Sequence, residues 1–281
     1  MNEPRGAAET IRGEGISARK RFFLLRSRYR DIVLFLLLFA VLVWLLLQGA
    51  SSSGYKWQWY RVPRYILGVV EGRLTAGPLL QGLGLTLQIS GISLVLAFVI
   101  GLVTALLRLS DSLVGRAVAR VYLETIRNTP MLVQLFVIYF ILGPILGIER
   151  FLSAVLALSL FEGAYASEVF RAGIVSIDKG QWLACHSLGL NAMDTYRFVI
   201  LPQAIRRILP PLTSQAVSLV KDSSLVSMVS LTDLTLQAGI VVSDTFMPFE
   251  IWFTTAAMYL AITVTLSMVV NRMERRMKIA E

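Results

Sequence analysis

The chain has 281 residues, of which 56% are hydrophobic and 16% charged, and it carries a net charge of +9. A charged fraction so far below the ~25% of soluble domains, beside long apolar runs, excludes a soluble globular protein and indicates a polytopic membrane protein. The basic residues stand between the apolar runs rather than on one soluble face, so they report membrane topology and not a nucleic-acid partner.

One cysteine (Cys185) and one histidine (His186) leave no intramolecular disulfide and no multi-histidine metal site. Neighbours on a helix diverge, so these two do not make a nucleophilic dyad either. No catalytic residue, metal or cofactor is expected. A G-x-x-x-x-G-K-S/T loop is absent, so nucleotide hydrolysis, if the protein needs it, belongs to another chain.

In chain order, residues 1–30 read as a basic tail and 31–48 as an N-terminal transmembrane helix whose apolar run is Ile32–Leu47. The long n-region and sixteen-residue run exceed the usual signal pattern, so the helix reads as an uncleaved anchor. Residues 49–79 hold Tyr55, Trp57, Trp59, Tyr60 and Tyr65, an aromatic belt suited to membrane lipid. A transmembrane domain follows over 80–272, then a short tail over 273–281. Further spans fall at about 83–107, 121–146, 151–170, 204–231 and 251–270. That makes about six transmembrane helices in an all-α polytopic fold. Pro130 lies in the first half of the 121–146 span, and no internal repeat is evident.

Of the 27 basic residues, 20 fall on one side of these spans. Both termini and the 171–208 segment are therefore expected in the cytoplasm, and the acidic 232–250 loop outside.

Between the fourth and fifth spans lies a polar stretch, Asp178–Pro202. Asp178 can cap a short helix over Lys179–Leu188, and Gly189 suits the left-handed position after it. Asn191 or Asp194 can start a second short helix, ended by Pro202. The first helix would offer Trp182, Leu183 and Leu188 to a partner groove or to the membrane surface.

Charged groups inside the bilayer are costly and default to functional candidates. Lys221, Asp222 and Ser223 interrupt the fifth span about 28 Å after Pro202 at 1.5 Å per residue. Lys221 and Asp222 offer both signs to a zwitterion, or they pair with each other. Glu162 has no local partner and could face a transport path, favouring ammonium groups. Glu124 with Arg127, and Glu168 with Arg171, sit at i,i+3 and read as structural pairs.

The loop resembles the coupling motif of ABC importer permeases, E-A-A-x-x-x-G-x9-I-x-L-P. Here it runs Leu183-Ala184-Cys185, then Gly189, then nine residues, then Val199-Ile200-Leu201-Pro202. Flanking strings are similar to the polar amino-acid branch: Glu124–Gln134 (ETIRNTPMLVQ), Ala164–Ile174 (AYASEVFRAGI), Lys179–Trp182, Pro210–Leu212 and Lys221–Leu225. The resemblance spans residues 80–272. It implies a type I ABC importer transmembrane fold, with a cytoplasmic coupling helix carried by Gln181, Trp182, Leu183, Ala184 and Gly189. Implied partners are a separate ATPase subunit, an extracytoplasmic amino-acid-binding protein and a second permease subunit, identical or related. Leu183 departs from the pattern, since the family places a glutamate there. A stand-alone secondary transporter or channel is the alternative; it should show inverted repeats or a dense polar pore row.

Overall fold

The computed structural model describes residues 30–45, 48–49, 54–70 and 72–277; the N-terminal tail and the last four residues lie outside them. The chain divides into two compact units, Met1–Trp57 and Gln58–Glu281. In the first, helix α1 covers residues 30–45 with exposed side chains such as Phe35 (66%) and Leu38 (67%). Apolar exposure all round a helix is what lipid, not water, tolerates.

The second unit begins with a 3-10 turn at Trp59–Arg61 and helix α2 at Pro63–Ile66. A hairpin follows, β1 (Leu67–Val70) antiparallel to β2 (Arg73–Ala76), with Leu67 opposite Ala76 and Val70 opposite Arg73. Its turn includes Gly72 at φ +74°, a left-handed conformation glycine adopts without strain. The fold is otherwise helical, as expected from the sequence, and this hairpin is a small addition to it.

Helix α3 (Pro78–Leu109) starts with proline in its first turn and packs along α7 (Arg150–Val175). Lipid tails are as apolar as leucine, so helices in a bilayer associate through close packing and hydrogen bonds. The buried face of α3 is accordingly small: Gly82, Thr86, Ser90, Ser93, Ala97 and Gly101. A β-carbon at Gly101 would lie 2.8 Å from that of Ala166. Ser93 Oγ donates to the Val155 carbonyl at 3.3 Å, and Ser159 Oγ donates to the Ser93 carbonyl at 3.4 Å. Around this seam a core forms from Ile89, Leu135, Leu158 and Val226.

The third span is not one helix. Helix α4 (Leu113–Arg127) is capped by Ser112 and turns through 107° into the Met131–Leu146 segment. That segment comprises α5 (Met131–Phe136), a π-helical stretch Val137–Leu142 and α6 (Gly143–Leu146). Pro130 keeps Thr129 out of helical geometry, and Gln134 Nε2 staples the corner by donating to the Ile126 and Thr129 carbonyls at 2.8 Å.

After α7 come α8 (Lys179–Ser187), α9 (Ala192–Asp194), a π-helical stretch Thr195–Ile200 and α10 (Leu201–Asp222). Pro202 does not end the second short helix. It sits in the first turn of α10, where a missing N–H costs little, and the chain stays helical through it. A 3-10 stretch, Ser223–Val229, leads to Ser230 at φ 57°.

The expected 232–250 loop is mostly helix: α11 covers Leu234–Thr245, and α12 runs from Pro248 to Met277. Asp233 caps α11 by accepting from the Thr235 and Leu236 amides at 3.1 and 2.9 Å. The Leu234 amide donates to Thr86 Oγ1 of α3 at 3.1 Å. This end of the unit closes over Leu79, Leu234, Met247 and Ile251, and the fully buried Glu250 accepts from the Gln58 amide at 2.6 Å.

Three described helices can each cross a membrane by length and composition, and up to five crossings result if each of two bent pairs is one span. The expected sixth is α1, whose described part is short of the ~20 residues a crossing takes. Gly101→Ala is expected to destabilise the purified protein by about 1–3 kcal/mol through overpacking. Gly84→Ala, whose β-position meets nothing within 4 Å, should leave the detergent melting temperature unchanged or raised.

Candidate functional site

Two regions gather the candidate residues. The first is the elbow after α7. Asp178 caps α8, accepting from the Gly180 amide at 2.6 Å. At the other end Gly189 adopts φ +72°. Its amide donates to the His186 carbonyl at 3.0 Å and the Leu190 amide to the Cys185 carbonyl at 3.1 Å. This 6→1 and 5→2 pair is the Schellman closure of a helix, and it fixes the direction of the exit. Asn191 then caps α9, accepting from the Asp194 amide at 2.8 Å.

The elbow has an inside and an outside. Cys185 is buried, and Trp182 lies three residues earlier on the same face, its ring 5.3 Å edge-on from Tyr196. Trp182 is therefore not offered outward as expected from the sequence; it holds α8 against the following segment. Behind it pack Ile174, Ile177, Ile200, Ala204 and Ile208, joining α7 to α10. Arg207 of α10 adds a bond to Ser176 Oγ at 3.0 Å, beside the end of α7. On the outside stand Leu183 (66% exposed) and Leu188 (79%), with Gln181 and Ala184 also exposed. Gln181 Oε1 accepts from Gln203 at 3.3 Å.

The second region is charged and lies within the helices. Glu162 of α7 is buried, and its carboxyl neighbours that of Asp222 at the end of α10. The sequence offered no sign of this pairing across sixty residues. Lys221 is exposed and forms no ion pair with Asp222. Ser223 is buried, with its hydroxyl bonded back to the Val220 carbonyl at 2.8 Å. Of the four candidates, the structure brings two together. Gln215, two turns before Asp222 on the same helix face, was missed. Its Oε1 is buried with no hydrogen-bond partner.

The two expected structural pairs fare differently. Glu168 does bind Arg171, at 3.2 Å, and also accepts from Arg108 at 2.7 Å and Arg127 at 3.0 Å. Arg127 thus serves α7 rather than Glu124. Glu124 Oε2 accepts instead from Asn128 at 2.9 Å, beside the α4–α5 corner. The reason is reach: a long guanidinium stem finds a partly buried carboxylate that three helices share. Among the described residues no group of three or more His, Cys, Asp or Glu is placed to hold a metal ion.

Residues 97–279 match the family model for the binding-protein-dependent transport system inner membrane component. The chain is 41% identical over 204 residues to the glutamine transport system permease protein GlnP of Escherichia coli K12, covering 72% of this chain and 93% of the relative. It is 39% identical over 203 residues to the L-cystine transport system permease protein TcyB of Bacillus subtilis, covering 71% and 87%. Among solved structures, an amino acid ABC transporter with histidines matches with a TM-score of 0.67 at 38% identity, covering 71% of this chain and 94% of that one. An inward-facing MetNI methionine ABC transporter, 21% identical with a TM-score of 0.62, shares the fold over 72% and 97%. The family sets aside a stand-alone secondary transporter or channel, and also an enzyme, since its members are transporter subunits that work with an ATPase and a substrate-binding protein. The chain belongs to the binding-protein-dependent transport system inner membrane component family, and is a multi-pass transmembrane subunit of an ATP-driven importer in the bacterial inner membrane.

Proposed function

We propose that this subunit carries a polar amino acid and receives its driving force at the elbow of residues 178–202. The observation that supports it most is the two-sided build of α8. One side is packed into the α7–α10 core, while Leu183 and Leu188 are exposed on the other. An apolar edge on a rigid, capped helix outside the bilayer suits a groove on an ATPase subunit. Gln181, Ala184 and Gly189 complete the docking segment, with Trp182 acting from inside as its brace. Leu183 makes this contact apolar where the resembling motif would place a glutamate.

Substrate passes near Glu162 and Asp222. Two carboxyls facing each other in a desolvated place repel unless a proton or a cation lies between them. The ammonium of an amino acid is such a cation, and the amino-acid names of the relatives support that class. Lys221 and Ser223 act as gate residues at the end of α10 rather than as part of the carboxyl pair. Domain roles follow the sequence: a cytoplasmic tail (1–30), an anchor helix (31–48), an external aromatic segment (49–79), the transmembrane domain (80–272) and a cytoplasmic C-terminal tail (273–281). The functional unit is a dimer with an identical or related permease, fed from outside by an amino-acid-binding protein.

Gly189→Asp is expected to abolish ATP-dependent uptake and release the ATPase subunit from membranes, because an aspartate at φ +72° strains the elbow. Normal ATPase recovery in a pull-down with that variant would overturn the coupling role. Separately, Glu162→Gln should cut uptake about tenfold or more by losing a charge-assisted bond, with ATPase assembly intact. Unchanged uptake kinetics in reconstituted vesicles would remove Glu162 from the path.

A further inference from the structure

The ends of α3, α4 and α7 enclose a recess of about 330 Å³ that lies apart from the proposed docking elbow and carboxyl pair. Five arginines line it: Arg108, Arg116, Arg120, Arg127 and Arg171. Facing them are only two carboxylates, Glu124 and Glu168. Glu168 is shared by Arg108, Arg127 and Arg171, and Glu124 is engaged by Asn128. Arg116 donates to a neutral group, the Ser110 carbonyl, at 2.9 Å. Arg120 is exposed and has neither hydrogen bond nor ion pair among the described residues. The lining therefore holds an excess of three positive charges in a concave space, where walls of low dielectric strengthen the field.

We infer that this recess is a binding site for a phosphate group, with Arg116 and Arg120 as its principal ligands. Guanidinium is planar, always charged and presents paired N–H donors that match phosphate oxygens. The volume is several times the ~30 Å³ share of one water, enough for a tetrahedral anion and its remaining hydration. The rim is apolar on one side. Leu109 lines the recess, and Leu106 and Leu102 continue from it along one face of α3, with exposures of 36%, 50% and 42%. A basic recess that runs onto an exposed apolar strip of a membrane-spanning helix suits a membrane–water boundary, where phospholipid headgroups lie. The same chemistry would accept free phosphate.

The test uses the purified permease–ATPase complex in phosphatidylcholine nanodiscs, wild type against Arg116→Gln/Arg120→Gln. Arg206→Gln, at an exposed arginine outside the recess, is the control. Native mass spectrometry and thermal shift are read with added phosphatidylglycerol, with inorganic phosphate, and with sodium chloride at matched ionic strength. Binding of phosphatidylglycerol is expected in wild type and control, weakened about fivefold per arginine in the double variant. An arginine-dependent response to inorganic phosphate as well would assign a free-anion site; a response to phosphatidylglycerol alone would assign a headgroup site. Equal responses in wild type and double variant, or phosphate no better than chloride, would overturn the site. Loss of the ATPase chain from the double variant would also overturn it, because the arginines would then hold a protein partner.

Discussion

The close approach of α3 and α7 is the constraint on which the rest of the structure depends. Water cannot drive two helices together inside a bilayer, so contact rests on small side chains and buried hydrogen bonds. Gly101 against Ala166, and Ser93 and Ser159 against backbone carbonyls, supply both. Helix α7 becomes the central element as a result. It carries Glu162 in its middle and Glu168 near its end, and it runs directly into the elbow.

That arrangement gives force a short route. The elbow is not a loop tethered at two points; its inner face is continuous with the α7–α10 core through Trp182 and Ile200. In the proposed coupling, a push on Leu183 or Leu188 would reach α7 and α10 together. Those two helices also carry the facing carboxyls, Glu162 and Asp222. Beyond Asp222 the chain leaves α-helical geometry for a 3-10 stretch and a left-handed Ser230. A segment of that kind, lying between α10 and the Asp233 cap of α11, is suited to rearrange when α10 shifts.

What could be read from the sequence was local. The Asp178 and Asn191 caps follow from side chains that bond their own neighbours within three residues, and the left-handed Gly189 from its lack of a side chain. Long apolar runs marked α3, α7 and α12 for the same reason. The α4–α5 corner is not legible in the sequence: 121–146 reads as one span with Pro130 inside it, and the 107° turn also needs Gln134 to hold it. Helix α11 was hidden because its acidic flanks read as an external loop, although Asp233 is a cap and Glu250 is buried. The carboxyl pair and the Arg108–Glu168 contact were invisible, since each joins residues about sixty apart and depends on how α3, α7 and α10 pack. Leu183 was legible as a departure from the resembling motif, and its exposure gives that departure physical content.

The most direct measurement is site-specific photocrosslinking from the elbow in the assembled transporter. A photoreactive phenylalanine analogue replaces Leu183 in one preparation and Leu74, exposed in the hairpin, in another. The account predicts a crosslink to the ATPase chain from position 183 and none from position 74. Absence of any ATPase crosslink from position 183, in a complex that still hydrolyses ATP and transports, would contradict it.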